Sequence, residues 1–459
     1  TRDWSSDVCS SDLKKVPFKS GIHPFEGKKY SEDKETFKID SAELMVFPMS
    51  QHIGAPAVPV VKAGDRVLRG TLLGKAASFI SSPVYSSVSG KVKAVEDRQN
   101  PNGSVSKCVV VENDFEDACT EEYGAVRDPN ELTPEEIAAA ISDAGIVGMG
   151  GAGFPTGVKL TPKNAENIDY LILNGAECEP YLTSDYRLMV EKAGNIIMGV
   201  SIALRLFPNA KAVVAIEDNK PRAIEAFQEQ CRSLDKISVM PLKTKYPQGG
   251  ERRLIASVTG RMINSHMLPA DAGVVVLNVA TAFAIYEALC ESKPLIHRIV
   301  TLTGEGMNAP CNADVLLGTP VSFLVEKCGG LKEETQKIIS GGPMMGTALP
   351  DLDYPVTKTF SSVLALTKDD VEAMKTTACI RCGRCVGVCP ENLVPHLMAH
   401  AVKAEDLERF AAIGGMECIE CGCCTYVCPA KRPLTQTFKL AKAEIRAAKA
   451  KAKTQGGNS

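Results

Sequence analysis

The sequence predicts a multidomain α/β protein, and three observations carry that expectation. Between about residues 130 and 292, apolar β-type runs alternate with helical patterns. Ahead of them, short β-type runs are punctuated by glycine turns. Behind a further glycine-rich β module lie two cysteine runs of one pattern. A chain of 459 residues, 44% apolar, is long enough for about three domains. The net charge of −3 argues against nucleic acid as a partner.

Residues 1–13 (TRDWSSDVCSSDL) match nothing that follows in pattern or composition, and they read as a translated adapter scar. They are set aside, with the one Trp they contain. Residues 55–112 hold the runs PAVPVV, AGDRVLRG, SPVYSSVSGKVKAVED and SVSKCVVVEN, an all-β module of short strands. The module, assigned to residues 14–125, resembles a barrel-sandwich hybrid of the lipoyl or biotinyl kind. Such domains carry a modifiable lysine in a DKA or MKM sequence. None is present, so the module reads as a scaffold.

Thr133-Pro134-Glu135-Glu136 is a capping box with proline at the first helical position, and it opens a helix to about Asp143. The runs IDYLILN, KAVVAIE and AGVVVLN then alternate with helical patterns at 186–206, 221–232 and 281–292. That alternation predicts an α/β core with a largely parallel sheet over residues 130–292. Residues 296–350 form a short glycine-rich module ending in Ser340-Gly341-Gly342-Pro343-Met344-Met345-Gly346; it resembles a soluble-ligand-binding β-grasp module. Residues 350–376 read as a connection.

The cysteines follow at residues 370–433. Cys379, Cys382, Cys385 and Cys389-Pro390 repeat as Cys418, Cys421, Cys424 and Cys428-Pro429. Eight thiolates in two such runs suit two [4Fe–4S] clusters, with the fourth cysteine of each run reaching to the other cluster. One cluster then takes Cys379, Cys382, Cys385 and Cys428, and the other Cys418, Cys421, Cys424 and Cys389. The alternative is a pair of structural zinc sites, which normally use paired Cys-x2-4-Cys knuckles. Cys423 breaks the symmetry of the runs and reads as a spare thiol. A helical stretch at 393–413 separates the runs, as in a helical two-cluster ferredoxin domain. The other cysteines show no paired spacing, which fits a reducing compartment. Residues 434–459 hold six Lys/Arg against one Glu and read as a solvated, fraying basic tail. The most apolar segment, 273–289, carries Asn278, Thr281 and Glu287 and is no membrane span.

Gly148-Met149-Gly150-Gly151-Ala152-Gly153-Phe154-Pro155-Thr156-Gly157-Val158-Lys159 follows a helix and turn, not a first strand, so its match to G-x-G-x-x-G is by letter alone. Closely spaced glycines still let backbone N–H groups approach a phosphate or a flavin ring. The segment resembles the flavin loop of the NADH-oxidising flavoprotein subunit of respiratory complex I. Three further segments fall in that family's order: Asn174-Gly175-Ala176-Glu177-Cys178-Glu179-Pro180, Tyr246-Pro247-Gln248-Gly249-Gly250-Glu251, and Asn278-Val279-Ala280-Thr281. The resemblance implies an α/β flavoprotein core binding FMN, with NADH laid on the flavin. On that reading Gly148, Gly150, Gly151 and Gly153 line the flavin and Lys159 reaches its phosphate. Phe154 stacks on the nicotinamide or adenine. Asn174, Asn278 and Thr281 hold the flavin's polar edge or phosphate. Glu177, Glu179, Tyr246, Gly249 and Glu251 complete the site, with Glu179 and Glu251 on the NADH. Ala176 and Gly250 depart from the family pattern, where acidic residues stand. No side chain is nominated as a general acid or base.

Phe18-Lys19-Ser20-Gly21-Ile22-His23-Pro24, followed by these modules in this order, resembles the C subunit of the Rnf electron-transport complex. The resemblance implies a peripheral subunit on the cytoplasmic face of the membrane, in an NADH:ferredoxin oxidoreductase that translocates Na+ or H+. Its implied partners are the membrane subunits, the iron–sulfur B subunit and ferredoxin. Two other readings stay open: a cobalamin reductase of a microcompartment, and an iron–sulfur electron-transfer adaptor without NADH activity.

Overall fold

Four parallel strands form the sheet of the α/β core, in the order Ile237–Leu242, Lys211–Glu217, Tyr170–Gly175, Val274–Asn278. The computed structural model describes residues 18–101 and 103–456; residues 1–13, expected to be a scar, lie outside them, as do 14–17, 102 and 457–459. Helices cover the sheet, so its strands are apolar on both sides and read as continuous runs. The helix Pro134–Asp143 opens on the expected capping box, the Thr133 hydroxyl accepting from the Glu136 N–H while the Glu136 carboxylate accepts from the Thr133 N–H. Ser184–Leu204, Pro221–Cys231 and Val279–Cys290 are the other main helices. The edge strand Ile237–Leu242 is absent from the sequence expectation. Its Pro241 cannot donate to a ladder, which is tolerated at a sheet edge and masks the strand in sequence.

Ahead of the core, Leu44–Pro48, Val105–Asn113, Gly90–Gln99 and Arg66–Val67 make a four-stranded sheet. Val58–Pro59, Leu72–Lys75 and Val84–Tyr85 make a three-stranded one. Met45, Phe47, Leu73, Val109 and Val111 fill the module's core.

The β-grasp module, expected at 296–350, shares its sheet with strands from outside those bounds. Its six-stranded sheet runs Phe37–Lys38, Cys311–Leu316, His297–Thr303, Ser362–Leu366, Lys337–Ser340, Thr347–Ala348. The strand Ser362–Leu366 lies in the stretch expected to be a connection, yet it is central: it pairs parallel to Thr301–Thr303 and antiparallel to Lys337–Ser340. Its run SVLAL is short and apolar, too little to outweigh the loop-like residues around it. Phe37–Lys38, expected in the barrel-sandwich module, adds the opposite edge.

The chain divides into two compact units. One holds residues 26–242 and 269–368; the other gathers residues 18–25, 243–268 and 369 onward. The α/β core expected over 130–292 is therefore interrupted, because 243–268 belongs to the cysteine-bearing unit. There the Ile22 and Tyr246 main chains bridge antiparallel, the Tyr246 hydroxyl donates to the Cys421 carbonyl at 2.7 Å, and the Gly21 N–H donates to the Val388 carbonyl.

The basic tail is corrected as well. Residues Leu434–Gly456 form one helix. Leu434, Phe438 and Ala441 are buried against Met398 and Phe410, and Ile445 packs beside them. That helical spacing of apolar residues makes the first half of the tail part of the ferredoxin core. Lys442 is buried too, its ammonium 2.7 Å from Glu420 and donating to the Cys418 carbonyl. Among the described residues, no helix is long and apolar enough to cross a membrane.

Phe438→Ala removes a fully buried ring and is expected to destabilise the cysteine-bearing unit by about 3–5 kcal/mol. Truncation after Ala448 removes no buried residue among those described and is expected to be neutral. Denaturant unfolding of both variants checks the assignment.

Candidate functional site

The strand order reverses beside Tyr170–Gly175. Two strands lie to one side of it in sequence succession, and Val274–Asn278 lies on the other. Such a reversal opens a crevice at the carboxyl ends of the strands, the usual place for a ligand on an open α/β sheet. Asn174 and Asn278 face each other across that end, as register partners. The Asn278 side-chain oxygen accepts from the Ala280 N–H and caps the helix Val279–Cys290, while its amide donates to Asp185 at 2.6 Å. The Asn174 side chain accepts from the Ala176 N–H.

The glycine segment lies at this point. The Thr281 hydroxyl accepts from the Met149 N–H at 3.0 Å and donates to the Val147 carbonyl. The Gly148 N–H donates to the Phe154 carbonyl at 2.9 Å, closing the loop on itself. A Cβ on Gly150 would come within 2.7 Å of the Asn278 amide, and Gly153 has φ +71°. Gly150 and Gly151 are exposed, and a Cβ on Gly151 would meet nothing. These glycines leave main-chain donors accessible beside open space.

A second loop, 174–182, is held from beneath by two buried lysines. The Lys28 ammonium donates to the carbonyls of Glu177, Glu179 and Leu182 at 2.7–3.1 Å. The Lys220 ammonium donates to the Ala176 carbonyl at 2.7 Å and pairs with Glu217 at 3.2 Å. Neither lysine stands out in the sequence, because nothing around them signals burial.

The structure gives several expected site residues a different task. Glu177 accepts from the Asp185 and Tyr186 N–H groups and lies 4.0 Å from Lys28, so it closes the start of Ser184–Leu204 from within. Burial pushes its carboxyl up to about 7, against the pull of the Lys28 charge. Burial also raises Asp185, against the Asn278 amide. The Lys159 ammonium donates to the Val276 carbonyl at 3.0 Å. Glu179 accepts from the Met344 N–H at 3.3 Å, and a Cβ on Gly342 would lie 2.2 Å from its carboxylate. That close approach explains the glycine at 342 and ties the β-grasp module to this loop. Phe154 is half-buried. Tyr246, Gly249 and Glu251 are carried in the other unit, with Glu251 exposed at the start of the helix Glu251–Thr259.

In the cysteine-bearing unit, the two runs share one backbone path. Arg381 and Glu420, Gly383 and Gly422, and Asn392 and Lys431 occupy equivalent positions, and all six have positive φ. Each run thus wraps around a hollow. Cys379, Cys382, Cys385 and Cys428 line one of about 410 Å³, including space open to solvent. Cys389, Cys418, Cys421 and Cys424 line one of about 350 Å³ on the same basis, with Cys423 also on its wall. Among the described residues, no three Cys, His, Asp or Glu side chains converge on a single-ion site. The Leu393 N–H donates to the Cys389 sulfur at 3.3 Å and the Glu420 N–H to the Cys418 sulfur at 3.4 Å. Such N–H···S bonds stabilise thiolate and tune iron–sulfur centres. Four sulfurs around each hollow, some already bonded by amides, fit a cubane.

A glycine loop at a sheet's switch point, and a separate unit with two four-cysteine hollows, define a nucleotide-binding electron carrier with two iron–sulfur centres. Family models agree module by module. They match the RnfC barrel-sandwich hybrid domain at residues 16–116, the Nuo51 FMN-binding domain at 141–287, the SLBB domain at 299–348 and a 4Fe-4S dicluster domain at 373–429. The chain belongs to the family of C subunits of ion-translocating ferredoxin:NAD+ oxidoreductase complexes. It is 46% identical to the C subunit of the proton-translocating complex of Clostridium ljungdahlii, over 94% of each chain. It is 43% identical to the C subunit of the Na+-translocating complex of Acetobacterium woodii, over 95% of this chain and 98% of that protein. The C subunit of the ion-translocating oxidoreductase complex of Rhodobacter capsulatus is 44% identical, over 94% of this chain and 84% of that one.

The Glu177 carboxyl is higher in the fold than in the unfolded chain. The stability it contributes is therefore fully present below about 4.5 and is lost as pH rises toward about 7. Glu177→Gln is expected to flatten the pH dependence of unfolding over that window; an unchanged slope would remove Glu177 as its source. Separately, Cys424→Ala is expected to lose about half the iron of the reconstituted protein while Cys423→Ala keeps it all, because only Cys424 fits the run spacing. Equal iron loss in both would reverse the assignment.

Proposed function

We propose that this chain is the peripheral subunit of an ion-translocating electron-transport complex that exchanges electrons between NADH and two [4Fe–4S] clusters through FMN, towards ferredoxin and the partner subunits. The observation that carries the reading is the pairing, in one chain, of a glycine loop at an α/β switch point with two four-cysteine hollows. FMN, when bound, takes the hydride of NADH as two electrons, and iron–sulfur clusters carry electrons singly.

The chain's own residues do the rest. Gly150, Gly151 and Gly153 present main-chain donors without side-chain interference. Thr281 fixes the loop that presents them, and Lys28 and Lys220 fix the 174–182 loop. Asn174, Glu179 and Phe154 remain as polar and stacking contacts for flavin and nucleotide. Lys159, whose ammonium donates to the Val276 carbonyl, is assigned to the flavin phosphate by resemblance. Tyr246, Gly249 and Glu251 belong to the nucleotide site by resemblance. Cys379, Cys382, Cys385 and Cys428 hold one cluster; Cys389, Cys418, Cys421 and Cys424 hold the other. Membership of the family supports placement at the cytoplasmic face of the membrane, beside membrane subunits.

The test is a titration of the anaerobically purified, FMN-supplemented protein with NADH, read by its visible spectrum. The reading predicts bleaching of both flavin and iron–sulfur absorbance. Clusters that respond to dithionite but not to NADH would reduce the chain to an electron-transfer adaptor.

A further inference from the structure

Each cysteine run is followed by a helix whose second residue lines the hollow of that same run. After the first run the helix is Pro395–Lys403 and the residue is His396. After the second the helix is Leu434–Gly456 and the residue is Thr435. The step from Cys389 to His396 equals the step from Cys428 to Thr435. The two side chains therefore hold equivalent places in the repeat.

Those two places are furnished differently. In the second hollow the Thr435 hydroxyl bonds the Cys424 sulfur, which favours the thiolate, and it is shared with the Thr425 hydroxyl at 2.8 Å. In the first hollow the main-chain N–H of His396 acts in the same sense on Cys385, the third cysteine of that run. The imidazole is then left over. Its Nδ1 is buried and has no hydrogen-bond partner among the described residues. A buried ring nitrogen without a partner is costly, and native folds rarely keep one unless a group bound nearby completes the bond. Here the ring belongs to the wall of a hollow whose four sulfurs fit a cubane, and such a cluster presents sulfur acceptors. A histidine serving only solubility at this helix start would keep Nδ1 in water.

We propose that the His396 imidazole donates from Nδ1 to a sulfur of the cluster held by Cys379, Cys382, Cys385 and Cys428, and thereby raises the potential of that cluster. The inference rests on the reading above for the content of the hollow and adds the residue that sets its readiness to accept an electron. A reduced cluster carries one more negative charge than an oxidised one. An N–H donor therefore stabilises the reduced form more, and the cluster becomes easier to reduce. The second cluster meets a threonine at the equivalent place and lacks the ring donor. Two centres made by one repeat are thus set apart in potential by a single side chain. His396 is a positioning residue in this sense: it acts through the cluster.

The test uses the reconstituted, cluster-loaded chain, reduced with dithionite so that NADH plays no part. In wild-type protein whose histidine ring nitrogens carry the heavy isotope, pulsed EPR of the reduced centres is expected to show coupling to a ring nitrogen. His396→Gln is expected to abolish that coupling. In a redox titration followed by EPR, His396→Leu keeps the bulk and removes the donor. It is expected to cut the ratio of reduced to oxidised first cluster by about tenfold at a fixed potential, with the other cluster unmoved. His396→Gln restores an N–H donor and is expected to recover much of that shift. An unmoved midpoint in the leucine variant overturns the proposal, as does an equal shift in the glutamine variant. Absence of ring-nitrogen coupling in the wild type overturns it too, and that result needs no substitution, so iron loss from a variant cannot shield the idea. Iron analysis of the wild type comes first: a chain that takes up no clusters contradicts the underlying reading, and that failure is seen separately.

Discussion

The reversal of strand order beside Tyr170–Gly175 is the constraint on which the nucleotide-binding half of this molecule depends. With two strands on one side and Val274–Asn278 on the other, the crossover chains leave in opposite directions and the carboxyl ends part. The opening is furnished by two loops, and each is fixed by buried polar groups that bond the main chain. Thr281 acts on the glycine loop; Lys28 and Lys220 act on the 174–182 loop. Each unmade bond of this kind costs about 1–3 kcal/mol when buried, so the loops have one strongly favoured arrangement. The consequence for function is preorganisation: main-chain donors stand ready before any cofactor arrives.

The cysteine-bearing unit solves its problem by repetition. Two runs with matched positive-φ positions make two equivalent hollows, and the fourth cysteine of each crosses to the other. The helix Leu434–Gly456 packs Phe438 against Phe410 and sends Lys442 to the Cys418 carbonyl and Glu420, which anchors the second run.

Much of this is legible in sequence wherever a spacing has only one physical use. The cysteine runs reveal which four sulfurs share a hollow, because a displaced fourth ligand followed by proline has little other purpose. The capping box at Thr133 and the apolar runs of the central sheet are equally direct. What stays hidden has its own causes. Lys28 and Lys220 are buried by contacts more than forty residues away in sequence, at Glu177, Leu182 and Ala176, and a lone lysine carries no mark of that. Glu177 looks like a ligand-facing carboxylate because its loop resembles one, yet its oxygens are spent on N–H groups of the next helix. Ser362–Leu366 escapes notice because five residues between turns carry too little pattern, although the sheet pairs them on both sides. The alanine- and lysine-rich composition of the tail hides the buried face of its first half. Residues 243–268 fall in an unexpected unit because sequence order conceals a segment that leaves one domain and returns.

We propose that the flavin pocket is shaped by main-chain geometry held at the switch point, and the Thr281 hydroxyl is its most direct handle. The measurement is the FMN dissociation constant of Thr281→Val and Thr281→Ser against the wild type, by quenching of flavin fluorescence. Valine keeps the shape and leaves the Met149 N–H and Val147 carbonyl without their partner; serine restores the hydroxyl. Weaker binding by about tenfold in the valine variant, recovered by serine, is the predicted result. Equal affinity in all three, with the fold intact by circular dichroism, would contradict it and place the flavin elsewhere.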